Sequence, residues 1–261
     1  MDVIETIKSR HSVRTFVPEF LRDKDFNSLK EYCARVLAPF EGNSAVDLRR
    51  FDLQGPQRPG TYGTISGASS YFLVSADDDV YSLMAAGFKG EELVLRCTAA
   101  GLGTCWLSGT FRHSDFDVLP QAGNRRLIAI IAVGYPASSG RLRERFTRIA
   151  LGSRHRRAFD SLFFENDFST PLSIESRFGK ALDMLRPAPS SVNSQPWRAL
   201  VCGNSVHFYC KQKSDINILD CGIGLSHFNE VLRSEGVIGC YKAVSGVPEC
   251  EGLRYLISYL S

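Results

Sequence analysis

Aligned on itself, the chain repeats. At an offset of 135 residues Gly87–Trp106 matches Gly222–Tyr241 without a gap, and Gly87/Gly222, Gly101/Gly236 and Cys105/Cys240 coincide. Both stretches place apolar residues at helical spacing, with Met84, Phe88 and Leu95 in one and Ile223, Phe228, Val231 and Leu232 in the other. Each ends at a glycine suited to the position after a helix C-cap, followed by a strand-like run. At the same offset Tyr71–Ser75 faces Val206–Cys210, two short aromatic and β-branched runs of strand type. Further upstream, at an offset of 150, Ala38-Pro39 with Asn43-Ser44 matches Ala188-Pro189 with Asn193-Ser194. The change of offset places an extra Gly- and Pro-rich loop, residues 54–69, in the first half. Three matched blocks in one order predict two related units, 1–165 and 166–261, packed as one compact body. Strands separated by helices without strict alternation predict an α+β class.

Composition narrows the function class. Of 261 residues 44% are hydrophobic and 23% charged, which is globular composition long enough for a core without disulfide staples. Thirty-one basic against 28 acidic residues give +3, far from the excess of a protein that lives on nucleic acid. Residues 1–16 carry charges every few positions and lack a signal-peptide core. The apolar run Leu127–Val133 is too short to span a bilayer and reads as a buried strand. Eight cysteines without a C-x-x-C pair read as reduced, packed thiols, an expectation of cytoplasmic residence with no membrane partner.

Several short motifs need a ligand or a mundane explanation. Arg10-His11-Ser12-Val13-Arg14 follows a short helical segment and sets Arg10, Ser12 and Arg14 on one face of an extended chain, an arrangement suited to phosphate; alone it also fits a solvated basic surface. Ser153 to Arg157 closes a stretch with seven arginines between Arg141 and Arg157, which fits a wet loop equally well. Pro189 to Trp197 crowds Ser190, Ser191, Asn193 and Gln195 between two prolines ahead of a strand, and such a loop positions something. Gly101-Leu-Gly-Thr-Cys-Trp106 lacks the third glycine of a dinucleotide fingerprint, which excludes a Rossmann domain; on its own it caps a helix.

Taken together, R-x-S-x-R-x-F at 10–16, G-L-G-T-C-W at 101–106, Gly134-Tyr-Pro136, S-R-x-R-R at 153–157 and P-S-x-x-N-x-Q-P-W at 189–197 resemble the nitroreductase family of flavin enzymes. The likeness spans nearly the whole chain and is nearest to a single-chain branch whose halves mimic the two subunits of dimeric members. It implies an α+β fold with a central mixed or antiparallel sheet flanked by helices, FMN as cofactor, and NAD(P)H as electron donor to a nitroaromatic, quinone or flavin by ping-pong exchange. A flavin-binding protein without turnover is the alternative.

The resemblance also assigns positions. Arg10, Arg154 and Arg156 would hold the phosphate with Ser12 beside them, Arg14 would sit at the N1/O2 edge of the flavin ring, and His11 is assigned to the cofactor site as well. Leu107-Ser108-Gly109 would present a backbone N–H to N5, while Pro189, Ser190, Ser191, Asn193 and Gln195 would close the site from the second half. No side chain is assigned as acid or base, and no metal is implied. In dimeric relatives the P-S-x-x-N segment follows R-x-S-x-R closely, whereas here Asn193 lies 183 residues beyond Arg10. The degenerate copy at 38–44 and the lack of a second R-x-S-x-R predict one site per chain, with its mirror image dead and a monomer acting as a pseudo-dimer.

Overall fold

The computed structural model describes residues 2–53, 59–116, 125–138 and 155–261. Helices α1 (Val3–Ser9) and α2 (Asp23–Arg35) precede strands β1 (Ser44–Arg50) and β2 (Ser70–Ala76), the long helix α3 (Val80–Ala99), then β3 (Gly103–Leu107) and β4 (Arg126–Gly134). Strands β5 (Phe163–Glu165) and β6 (Asp167–Pro171) and helix α4 (Gly179–Leu185) lead to β7 (Trp197–Cys202), β8 (Ser205–Cys210), the long helix α5 (Asp215–Ser234), β9 (Cys240–Lys242) and β10 (Arg254–Leu260).

The two halves share one topology. In the first, an antiparallel sheet runs β1-β2-β4-β3; in the second, β7-β8-β10-β9 repeats that order, with β5 and β6 added beyond β7. β5 joins β7 in parallel, so a strand that precedes residue 166 is hydrogen-bonded into the second half's sheet. The α+β class expected from the sequence therefore holds with one sheet per half, and the expected mixed character is confined to the second. Leu127–Val133 lies in β4 and is buried from Ile128 onward.

The long helices start and stop for local reasons. Asp79 caps α3 by accepting the Ser82 N–H at 2.9 Å, and Ser214 with Asn217 forms a capping box on α5. Each helix ends at a left-handed glycine, Gly101 (φ +74°) and Gly236 (φ +70°), which no β-carbon disfavours there. Both helices are buried along most of their length, and they pack against each other.

That packing is reciprocal. A β-carbon on Gly87 would collide with the carbonyl oxygen of Leu219, and one on Gly222 with the carbonyl oxygen of Met84. Met84 and Leu219 stand 135 residues apart, as do the glycines, so the contact obeys a two-fold relation within one chain. All eight cysteines are free thiols, and no helix among the described residues is long and apolar enough to cross a membrane.

Candidate functional site

Arg10–Phe16 docks along the free edge of β3. The Val13 N–H donates to the Thr104 carbonyl at 2.8 Å, the Phe16 N–H to Ser66 at 2.8 Å, and the Ser66 N–H to the Arg14 carbonyl at 2.9 Å. Gly103 makes the approach possible, because a β-carbon there would press on the Val13 side chain at 2.9 Å. The second glycine of G-L-G thus seats the R-x-S-x-R segment, while the first ends α3. Ser12 bridges Thr104, and exposed His11 turns its Nδ1 to the Ser9 carbonyl at 3.0 Å, near the end of α1.

The Arg10 side chain is 92% buried, being only 8% exposed. Among the described residues its Nε–H donates to no partner, and its one ion pair is to Glu91 Oε1 at 3.8 Å. Burial lowers its proton affinity, an effect that Glu91 opposes. Arg156 lies close enough to feel the same charge. Burial first, then Arg10 and Arg186, push the Arg156 pKa down to about 10. Guanidiniums withdrawn from water and pressed toward one another favour a multivalent anion between or beside them.

The polar loop of the second half is built around that cluster. Arg156 Nη1 donates to Asn193 Oδ1 at 3.0 Å and Nη2 to the Pro187 carbonyl at 3.1 Å. Asn193 Nδ2 and Gln195 Nε2 both donate to the His155 carbonyl, at 2.9 and 3.2 Å, and Gln195 Oε1 accepts the Arg157 N–H at 2.8 Å. Arg186 Nη1 adds a bond to the Arg157 carbonyl at 3.0 Å. The segment 155–157 is consequently zipped to the P-S-x-x-N loop.

The loop itself holds an unusual backbone. Val192 (φ 46°), Asn193 (φ 54°) and Gln195 (φ 47°) are left-handed without being glycine, which costs on the order of 1–3 kcal/mol each and persists only where surroundings enforce it. The enforcement comes from below. Asp220 on α5, 2% exposed, accepts the Ser191 N–H at 3.0 Å and the Ser194 hydroxyl at 3.3 Å, and Ser190 Oγ accepts the Gln195 N–H at 3.0 Å. Burial raises the Asp220 carboxyl to about 7, against the pull of these donors.

The structure therefore gathers Arg10, Arg156, Asn193 and Gln195 from the two halves. Leu107 is buried at the end of β3, with Ser108 half-buried and Gly109 exposed beyond it; no hydrogen bond among the described residues links that turn to the cluster. Pro189 precedes the strained stretch. Arg154 lies outside the described residues. Sequence reasoning missed Asp220, Arg186, Glu91 and His227. Trp106 Nε1 donates to Glu91 Oε2 at 2.7 Å, and its indole fills the space that a side chain at Gly90 would take.

The residues fit a flavin phosphate. A buried guanidinium nitrogen with no hydrogen-bond partner, beside a second partly buried arginine, is what an anion would complete. No group of three or more potential metal ligands occurs among the described residues.

Comparison with known proteins follows the same lines. A nitroreductase from Thermotoga maritima MSB8, described as putative, matches the whole of this chain and 94% of its own at 24% identity, with a TM-score of 0.65. One from Desulfovibrio desulfuricans, in complex with FMN, covers 53% of this chain and 88% of its own at 23% identity and a TM-score of 0.42. The FMN-dependent nitroreductase NfnB of Mycobacterium smegmatis, in complex with NADPH, covers 54% and 91% at 14% identity and a TM-score of 0.42. No curated protein sequence matches. The model of the family described as "Putative TM nitroreductase" matches residues 2–231, and the chain belongs to that nitroreductase family, whose chemistry is oxidoreduction.

Proposed function

We propose that the chain binds one FMN between its halves and passes electrons from NADH or NADPH to a small acceptor such as a nitroaromatic, quinone or flavin, by ping-pong exchange. The observation that carries this reading is the convergence of Arg10 from the first half with Arg156, itself locked to Asn193 of the second-half loop. Arg10 and Arg156, with Arg154 and Ser12, would hold the phosphate. Arg14 would stand at the N1/O2 edge, where a fixed cation stabilises the charge that reduction leaves and raises the potential. When bound, the flavin supplies hydride acceptance and donation at N5.

The chain's own part is to bind and orient. The Leu107–Gly109 turn would offer a backbone N–H toward N5, and Ser190, Ser191, Asn193 and Gln195 would close the site. Asp220 keeps the loop in its strained form before any ligand arrives, which cuts the ordering cost of binding. No side chain needs to exchange a proton with the acceptor. The shared strand order and the reciprocal glycines support two nitroreductase-like units, 1–165 and 166–261, with the first contributing β5 to the second.

An absorbance spectrum before and after each nicotinamide, with mass spectrometry of the released ligand, tests the reading. The expected result is a yellow protein that releases FMN and bleaches anaerobically with NADH or NADPH. Release of the dinucleotide, or no flavin after reconstitution, overturns the site; bound FMN that neither nicotinamide bleaches overturns the donor.

A further inference from the structure

Directly behind Arg10 lies a buried pair that joins the two halves. Glu91 on α3 and His227 on α5 are both 0% exposed, and His227 Nε2 meets Glu91 Oε1 at 2.9 Å. The other ring nitrogen, Nδ1, meets the Met184 carbonyl at 3.1 Å, near the C-terminal end of α4. Both partners are hydrogen-bond acceptors, a carbonyl on one side and a carboxyl oxygen on the other. A neutral imidazole owns a single N–H, so it cannot satisfy a carbonyl and a carboxylate at once. The pair must hold one more proton than neutral histidine with ionised glutamate, either as imidazolium with carboxylate or as imidazole with carboxylic acid. In either placement its net charge is zero, and Nδ1 carries hydrogen.

This bears on Arg10, whose Nε lies 3.8 Å from the same Glu91 Oε1. An ionised, unbalanced Glu91 would cancel the arginine's charge and repel an incoming dianion. With its charge balanced by His227, and its second oxygen fixed by Trp106 at 2.7 Å, Glu91 steadies the guanidinium and leaves the positive charge to be used outward. We propose that Glu91 and His227 form a net-neutral, proton-holding pair that positions Arg10 for the phosphate, so that a residue of the second half tunes a phosphate contact made by the first. The proposal rests on the reading that Arg10 meets the flavin phosphate. Both are positioning residues, since neither touches the ligand.

The test compares FMN with riboflavin, which lacks the phosphate, by fluorescence titration of the whole chain. His227→Gln keeps a donor toward Glu91 but can hold no extra proton. It is expected to weaken FMN roughly tenfold and leave riboflavin unchanged. The double variant Glu91→Gln with His227→Gln restores a neutral pair and is expected to bring FMN back to within about threefold of the parent. Equal losses for both ligands, unchanged FMN affinity, or no recovery in the double variant overturns the proposal. A parent that binds riboflavin as tightly as FMN overturns the phosphate role of Arg10 instead. Should His227→Gln fail to fold, ¹⁵N spectra of labelled histidine in the parent decide: a protonated Nδ1 with Nε2 either protonated or accepting a hydrogen bond is expected, and an unprotonated Nδ1, or an Nε2 that does neither, overturns the pair.

Discussion

At Pro189–Trp197 a buried carboxylate, Asp220, collects a backbone amide and a hydroxyl and holds a polar loop in left-handed backbone. At the counterpart, 39–44, the residue 135 positions before Asp220 is Ala85, which offers no acceptor. Gly42 there settles so close to α3 that a β-carbon would meet the Tyr81 carbonyl at 2.6 Å and the Ala85 side chain at 3.0 Å. Asn43, the counterpart of Asn193, is taken up by Asp77 at 2.9 Å and by Arg125 at 3.4 Å. Phe40, standing where the other loop has Ser190, packs edge-on against Phe88 and Tyr241, with ring centroids 5.8 and 5.6 Å apart. Tyr241 is itself the counterpart of Trp106. One loop is held open by polar hydrogen bonds to Asp220 and Arg156, and the other packs over aromatic rings.

The comparison can be broken most sharply through Asp220. Its carboxyl, raised by burial to about 7 against about 3.9 in an unfolded chain, binds its proton more tightly when folded. This group's penalty is therefore absent below about pH 4 and grows to its full size above about pH 7, roughly 4 kcal/mol in all. Urea denaturation across that range should show parental stability falling as pH rises, and Asp220→Asn should flatten the slope. An unchanged slope would remove Asp220 as the feature that separates the two loops.

The shared frame should respond symmetrically. Gly87→Ala and Gly222→Ala each drive a methyl into a backbone carbonyl of the facing helix and should each cost about 3 kcal/mol of unfolding free energy, read by urea denaturation. A neutral result at either position would deny the two-fold contact. The surviving site should respond alone to Arg10→Ala, which is expected to weaken FMN 10- to 150-fold, about 1.5–3 kcal/mol, with the fold intact. Fluorescence titration reads it, and parental affinity would contradict the phosphate role. Phe40→Ala in the closed copy should cost about 2 kcal/mol of stability while leaving flavin affinity and stoichiometry unchanged. A second flavin gained, or the first one weakened, would show that the closed copy still communicates with the open one.

The repeat was legible because helix and strand periodicities are local. The offset of 135 joins β2 to β8 and maps Val80–Ala99 onto Asp215–Ser234 end to end. Gly101 and Gly236 were legible as helix ends for the same reason. What stayed hidden depends on distance in the chain. Gly103 matters because Val13 lies on it, 90 residues away in sequence. Glu91 stands beside Glu92 and His227 beside Ser226, with nothing in the sequence to single them out, and only the docking of α3 on α5 reveals them as a pair. Asp220 resembles an ordinary helical charge until the loop folds back over it. The division into one sheet per half, with β5 handed across, has no periodic signature in a three-residue strand.

We propose that one site is completed within one chain by residues of both halves. Co-expression of Arg10→Ala chains with Asn193→Ala chains, followed by measurement of bound flavin, tests it most directly. If two chains shared each site, the mixture would rebuild intact sites and recover about a quarter of the parental flavin, the statistical share for one repaired site in half the dimers. One flavin per parental chain and no recovery in the mixture are expected; recovery toward a quarter would contradict an intrachain site.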